Sequence, residues 1–360
     1  MTVGTVAYMP QPGKIEFREY ELPTPEPGGL LVETVAAGVC GSDLHMWEDR
    51  HPLKSIVLGH EMVGRVVDPT SRPTDSAGTP LKPGDLVSIV YFAFCGHCRA
   101  CARGQTHLCE NGYNQWTQSP DDFPHFTGTF GTHFYVSPMH SLFKVPDNVP
   151  PLVAVSAGCA LAQASAGVHR ARITAGDTVV VQGAGGLGLW ATARAKERGA
   201  RVIVLDAVQK RLDAAKAFGA DETVSFNEYP EAADRIARVL ELTDGGSDTA
   251  IELTGIPDAV LEGIEMVRTG ATYIVIGNVM PGRTIPLDIG SLTRRSVTIH
   301  PVIRYHQKIL QDSLQFLSRN MGKLPFDKIV DATYPLSDVL EALEDSRTHK
   351  VNRAALAVSL

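Results

Sequence analysis

Thr178-Val-Val-Val-Gln182 runs directly into Gly183-Ala-Gly185-Gly186-Leu187-Gly188, and then into Leu189-Trp-Ala-Thr-Ala-Arg-Ala-Lys-Glu-Arg198. The first five residues are a short β-branched run of the kind buried in a parallel sheet. The last ten carry a helical pattern. A lone G-x-G-x-x-G is a weak signal, but between a strand and a helix it has the setting of a dinucleotide fingerprint. Gly183 permits the tight turn, Gly185 lets the backbone approach a pyrophosphate, and Gly188 allows close packing of helix on strand. The unpaired N–H groups of Gly186, Leu187 and Gly188 at the helix start are suited to phosphate oxygens.

A second strand, Arg201-Val-Ile-Val-Leu205, ends in Asp206, 18 residues beyond Gly188. A carboxylate there accepts hydrogen bonds from both hydroxyls of an adenosine ribose and repels a 2′-phosphate, so NAD is expected rather than NADP. Lys210 and Arg211 lie close by and favour the opposite choice. Both read better as a solvated helix face, with Arg211 kept as a candidate cofactor contact. Further strand patterns follow at Thr223-Val-Ser-Phe226, Thr249-Ala-Ile-Glu-Leu253 and Ala271-Thr-Tyr-Ile-Val-Ile-Gly277. Sequential strand and helix alternation implies a doubly wound parallel sheet. Gly277 and Val279 end such a strand at its carboxyl side, where ligands bind, and are expected to line the nicotinamide.

The N-terminal region reads differently. Thr5-Val-Ala-Tyr8, Ile15–Tyr20, Leu30–Val35, Gly64–Val67 and Asp85–Val90 are short strand patterns separated by Pro and Gly, as in a barrel-like β domain. The loop 68–84 is polar, rich in turn formers and without evident chemistry. Cys95-x-x-Cys98-x-x-Cys101-x7-Cys109 then places four cysteines within 15 residues. Four thiolates so spaced close a tetrahedral zinc site with no vacancy, which makes it structural. An iron–sulfur cluster or two disulfides are the alternatives, but the bacterial cluster run ends Cys-x3-Cys-Pro, which this one does not.

Two cysteines remain. Cys40-Gly-Ser42-Asp43-Leu-His45 is followed by Gly59-His60-Glu61, and Cys159 lies in Ala157-Gly-Cys-Ala160. Cys40, His60 and Cys159 offer the soft sulfur and nitrogen donors that zinc prefers, and three protein ligands leave the fourth position open, as catalysis requires. Ser42 can place its hydroxyl beside that open position. Asp43 is suited to orient a ligating imidazole. Each of these residues taken singly is more often plain core. Together they divide all six cysteines between two sites with none left over.

The 360 residues favour two domains over one. Hydrophobic residues are 44% and charged residues 20%, which argues for a packed core and against disorder. The formal charge of -7 gives no reason to expect nucleic acid or a membrane surface as partner. No run of 18 apolar residues and no secretory signal are seen, so no membrane span is expected, and a reducing cytoplasmic compartment is, with cysteines as metal ligands. The tail holds a strand-like Ser296–Val302, helices around 307–318 and 336–346, and a last strand at 351–358, which could return to the first domain.

Over essentially its whole length the chain resembles the zinc-containing medium-chain alcohol dehydrogenases. The resemblance rests on the Cys40 to His45 motif, Gly59-His60-Glu61, the four-cysteine loop, Cys159, and Gly183–Gly188 with Asp206. It implies an α/β protein: a GroES-like β-barrel catalytic domain at 1–153, a Rossmann domain with a doubly wound parallel sheet at 154–300, a segment 301–360 returning to the first, and a cleft between the domains. It implies catalytic zinc on Cys40, His60 and Cys159, with Glu61 near or transiently on the metal, and a second, structural zinc on Cys95, Cys98, Cys101 and Cys109. Ser42 would take the alcohol proton and pass it through the nicotinamide ribose to His45. A homodimer or homotetramer is expected, acting on a small-molecule alcohol or carbonyl substrate.

The expected reaction is reversible oxidation of an alcohol to a ketone or aldehyde with hydride transfer to NAD. Trp47, Tyr91, Phe92, Trp116, Phe123 and Phe126 are candidates for a bulky apolar pocket, which would suit a bulky or cyclic secondary alcohol. Arg304 and His306 are candidates for an anionic substrate group. Aldehyde dismutation and thiol-dependent aldehyde oxidation are the rival chemistries on the same scaffold. A non-catalytic NAD-binding protein is disfavoured, because such proteins usually lose a metal ligand or the proton relay.

Overall fold

The computed structural model describes residues 2–360. They form two units, one running to Cys159 and resuming at His306–Leu360, the other Ala160–Tyr305.

The first unit is built on strands. β1 (Val3–Gln11) pairs antiparallel with β2 (Lys14–Glu21). β3 (Leu30–Gly38) is almost wholly apolar and almost wholly buried, which marks it as a central strand. The first helix, α1 (Gly41–Trp47), leaves its end. β4 (Ile56–Val57) pairs with β1, and β5 (Glu61–Val66) and β6 (Leu86–Ile89) continue the main sheet. Next come α2 (Arg99–Ala102), β7 (His133–Val136), β8 (Leu142–Lys144) and α3 (Pro151–Ala154). One edge of β3 takes β5. Its other edge takes β7 along Leu30–Glu33.

The second unit alternates. α4 (Ala162–Arg170) precedes β9 (Thr178–Gln182), α5 (Gly186–Glu197), β10 (Arg201–Asp206), α6 (Gln209–Ala217) and β11 (Glu222–Ser225). Then follow α7 (Ala232–Leu242), β12 (Ser247–Glu252), α8 (Pro257–Glu265), β13 (Val267–Val275), α9 (Ile289–Arg295) and β14 (Thr298–Pro301). All pairings are parallel, in the order β11-β10-β9-β12-β13-β14. The order reverses at β9, and a crevice opens at such a switch point beyond the strand ends. The chain closes with α10 (Lys308–Asn320), β15 (Ala332–Pro335), α11 (Val339–Arg347) and β16 (Ala354–Ala357). β16 pairs antiparallel with Ala36–Gly38 of β3, so the tail does return to the first unit.

The unit boundaries fall at 159/160 and 305/306 rather than at the expected 153/154 and 300/301. Pro151–Arg170 is one continuous helical run, and the backbone of Val302 still bonds Val275 past the end of β14. By length and composition that helical run passes for a span, but 72% of its window is buried inside the protein, as in a core helix. β4, β7 and β8 escaped the sequence reading because two to four residues carry no usable periodicity.

The 68–84 loop is ordered by Asp75, which accepts hydrogen bonds from the N–H groups of Ala77, Thr79 and Lys144. Arg72 donates to the carbonyl of His140. The His140 ring is buried and takes the Ser137 N–H at 3.2 Å on Nδ1. Burial, and then the nearby Arg72 charge, push its pKa down to about 3. In the unfolded chain a histidine titrates near 6.5, so below that pH the unfolded state takes up a proton that the folded state refuses. This contribution is therefore present above pH 6.5 and is lost as the pH falls toward 3. Denaturant midpoints should show about 2 kcal/mol of stability lost to this group between pH 6.5 and 5, and the His140→Gln variant should lack that part of the acid slope.

Candidate active site

Antiparallel register assembles the first cluster. Gly38 of β3 lies opposite Glu61 of β5, so Cys40, just past one strand, and His60, just before the other, are brought side by side. Cys159 arrives on the wide helical turn Ala157–Leu161, and wide turns of this kind recur at functional sites. A Cβ on Gly158 would lie 2.3 Å from the carbonyl of Ile89, so glycine is what lets the turn come this close. The Cys159 Sγ lies 3.4 Å from His60 Nε2. Ligand atoms of Cys40, His60, Glu61 and Cys159 all fall within 4.8 Å of one another.

Cys40 caps α1, and Asp43 sits at the third position of that helix. One Asp43 oxygen accepts the Cys40 N–H at 2.9 Å and the other meets His60 Nδ1 at 3.2 Å. Nδ1 is thereby taken up by a carboxylate, and Nε2 is left to face the sulfurs. The Ser42 hydroxyl lies 4.0 Å from Cys40 Sγ. The hydrogen bond to Cys159 and the charge of His60 pull the Cys40 thiol well below its ordinary value. Two sulfurs and an oriented imidazole, enclosed together, match the donor set of zinc.

Arg353 was not anticipated from the sequence. It sits just ahead of β16 and reaches Glu61 across β3, with both side chains buried. Gly38 makes this possible: a Cβ there would lie 2.6 Å from the Glu61 carboxylate. Burial pushes the Glu61 carboxyl up to about 7, with Arg353 pulling the other way. His51 is a second unforeseen neighbour. It is half-buried, and burial followed by the charges of His45 and Lys54 lowers its pKa.

The aromatic candidates separate. Tyr91 and Trp116 each place a ring 5.5 Å from His60, with Phe92 against Tyr91 and Tyr113 stacked on Trp116. Phe126 is instead core, packed with Val6, Val57 and Tyr135, and Phe123 is exposed beside Tyr135. Trp47 packs on the cluster around Met46 and Leu343. His306 Nδ1 accepts the Lys308 N–H, a local bond, and Arg304 adopts a left-handed backbone.

The sulfurs of Cys95, Cys98, Cys101 and Cys109 also lie within 4.8 Å of one another. Cys98 and Cys109 are 3.9 Å apart at Sγ, far beyond the ~2.05 Å of a disulfide. The N–H groups of Cys95 and Cys98 point at the sulfurs of Cys109 and Cys95. Hydrogen bonds, the Asn111 side chain first, pull Cys95 down to about 5, while burial and the Cys98 side chain push Cys101 up to about 12. Four crowded sulfurs cannot all be anionic without a cation among them, so this set fits a metal ion as well.

In the second unit Gly183 turns with φ +98° and its N–H bonds the carbonyl of Leu205. A Cβ on Gly188 would lie 1.9 Å from the Gly183 carbonyl, whereas one on Gly185 would stand in open space, as a cradle for a phosphate needs. The first bond inside α5 is Leu189 N–H to Gly185, which leaves the N–H groups of Gly186, Leu187 and Gly188 ahead of it. Asp206 is buried at the end of β10, where it accepts the Ala184 N–H at 2.7 Å and the Val208 N–H at 2.8 Å. It therefore builds the cradle besides facing it. Arg211 lies in the first turn of α6, and Val279 is exposed with its N–H on the Gly277 carbonyl.

Family models match residues 26–147 as an alcohol dehydrogenase GroES-like domain and 186–319 as a zinc-binding dehydrogenase. A putative alcohol dehydrogenase D of Mycobacterium tuberculosis is 32% identical over 98% of this chain and 99% of its own length. A 5-exo-hydroxycamphor dehydrogenase of Pseudomonas putida is 29% identical over 96% of each. The crystal structure of an alcohol dehydrogenase from Thermotoga maritima superposes with a TM-score of 0.93 at 30% identity, covering 99% of this chain and 100% of that one.

Two substitutions test the cluster. Asp43→Asn keeps the shape but loses the anionic partner of His60, and zinc affinity measured by chelator competition should fall about 10–100-fold. Arg353→Ala leaves the buried Glu61 carboxylate unpaired and should cost about 3–5 kcal/mol in denaturant unfolding.

Proposed function

The chain belongs to the zinc-dependent medium-chain alcohol dehydrogenases, and we propose that it oxidises a bulky or cyclic secondary alcohol reversibly, with NAD as hydride acceptor. The observation that carries the reading is the joint enclosure of Cys40, His60, Glu61 and Cys159, with Asp43 and Arg353 behind them. When bound, zinc supplies Lewis acidity that lowers the pKa of an alcohol, and NAD supplies a hydride acceptor. Cys40, His60 and Cys159 are the residues assigned to hold that zinc. Glu61 is assigned a place beside it, tethered by Arg353.

Ser42 accepts the substrate hydroxyl proton, and His45, one helical turn on, passes it toward solvent. Tyr91, Trp116 and Tyr113 orient an apolar substrate beside His60 and keep water from it. The similarity to a hydroxycamphor dehydrogenase supports a cyclic substrate, as does this aromatic wall. Cys95, Cys98, Cys101 and Cys109 are assigned a second, structural zinc. Gly183, Gly185, Gly186, Leu187 and Gly188 are assigned the pyrophosphate, Asp206 the adenosine ribose, Arg211 the edge of that site, and Gly277 and Val279 the nicotinamide. Asp206 at the end of β10 supports NAD over NADP. The protein is proposed to act in the cytoplasm as a homodimer or homotetramer, with small molecules as its only ligands. Dismutation and thiol-dependent oxidation use the same donor set and are the outcomes to be separated from it.

Incubation with NAD or NADP and a panel of linear, cyclic, aromatic, polyol and acid-bearing alcohols should give NADH absorbance, strongest for the cyclic and aromatic members. Cys40→Ala should abolish turnover. Wild-type rates in that variant would overturn the zinc role, a preference for NADP would overturn the assignment of Asp206, and turnover without added NAD would favour dismutation.

A further inference from the structure

Glu252 is the last residue of β12 and is fully buried, yet no cationic side chain is bonded to its carboxylate among the described residues. Five neutral donors surround it instead. Oε1 accepts the Thr254 N–H at 2.7 Å, the Thr254 hydroxyl at 2.8 Å and the Gly255 N–H at 2.7 Å. Oε2 accepts the Gly277 N–H at 3.1 Å and the Asn278 N–H at 3.2 Å. One carboxylate thus ties the turn after β12 to the turn after β13.

The two turns also touch directly. A Cβ on Gly277 would lie 2.5 Å from the Gly255 nitrogen and 2.7 Å from Glu252 Oε1. The Leu253 N–H bonds the Gln182 carbonyl, and a Cβ on Gly183 would lie 3.2 Å from Thr254. The glycine-rich turn, the 253–255 turn and the 277–279 turn are therefore one packed assembly at the carboxyl ends of β9, β12 and β13. A buried charge satisfied only by hydrogen bonds carries a large desolvation cost, and a site retains it where position matters.

We propose that Glu252 is a positioning residue for the nicotinamide half of the bound dinucleotide. This rests on the NAD reading above. Its Oε2 holds the Gly277 and Asn278 N–H groups, and so fixes the turn that ends in Val279. It makes no bond to the phosphate turn or to Asp206. Its loss is therefore felt first and most at the nicotinamide end of the cofactor.

Glu252→Gln separates the two halves. The amide oxygen goes to the side with three donors, and the NH2 group then faces the Gly277 and Asn278 N–H groups, donor against donor. NADH should bind about tenfold or more weakly to the variant, while ADP-ribose, which lacks the nicotinamide, should change less than about twofold in calorimetry. If Glu252→Gln does not fold, Glu252→Asp keeps the charge but draws the carboxylate back by one CH2, so that it no longer bridges both turns, and it should give the same selective loss. Equal weakening of both ligands, or no weakening of NADH, would overturn the proposal. Failure of the wild-type protein to bind either ligand would overturn the cofactor reading beneath it.

Discussion

The Arg353 guanidinium crosses the end of β3 to meet Glu61, and both side chains are buried. Three strands must be in register for the pair to form: β5 brings Glu61 opposite Gly38, β16 brings Arg353 alongside, and Gly38 leaves the room. A shift of one residue in either pairing would point the side chains to the other face. Such a pair adds little net stability, because desolvation consumes its Coulombic gain. What it does is penalise every arrangement in which either partner is buried alone. The returning tail is thereby locked to the strand that presents Cys40. Cys40 and His60 inherit their positions from that register, and Asp43 refines them from the first turn of α1.

The second unit is arranged on a similar principle with different chemistry. Two strand-terminal carboxylates, Asp206 on β10 and Glu252 on β12, hold backbone N–H groups of neighbouring turns. Neither needs a cation. Each leaves a glycine-shaped edge of the parallel sheet in a fixed form, which the N–H groups at the start of α5 complete. The turns proposed to cradle the cofactor are thus braced from behind before any ligand arrives, which lowers the ordering cost of binding.

Much of this was legible in the sequence where the signal is local. The strand, glycine turn and helix at 178–198 stand where the pattern put them, because the turn closes on itself where Gly188 packs against the Gly183 carbonyl five residues back. The division of six cysteines into four and two is also local arithmetic, completed by His60. What escaped was non-local. Arg353 and Glu61 are 292 residues apart, and nothing about an arginine ahead of Ala354–Ala357 names its partner. Glu252 reads as an ordinary strand end until β13 is laid beside it. The aromatic residues were sorted only by the fold, which kept Tyr91 and Trp116 near His60 and sent Phe126 to the core and Phe123 to the surface. The helix that carries Cys159 begins at Pro151, where the fixed φ of proline suits the first turn.

The most direct test of the account is the zinc content of the purified protein, measured by elemental analysis on wild type and on Cys159→Ser. Two separate sulfur-bearing clusters predict two zinc ions per chain in the wild type and one in the variant, with the fold intact because the four-cysteine loop keeps its own ion. A wild-type protein with a single zinc, or a variant that still holds two, would contradict the partition of the cysteines and the open site built on it.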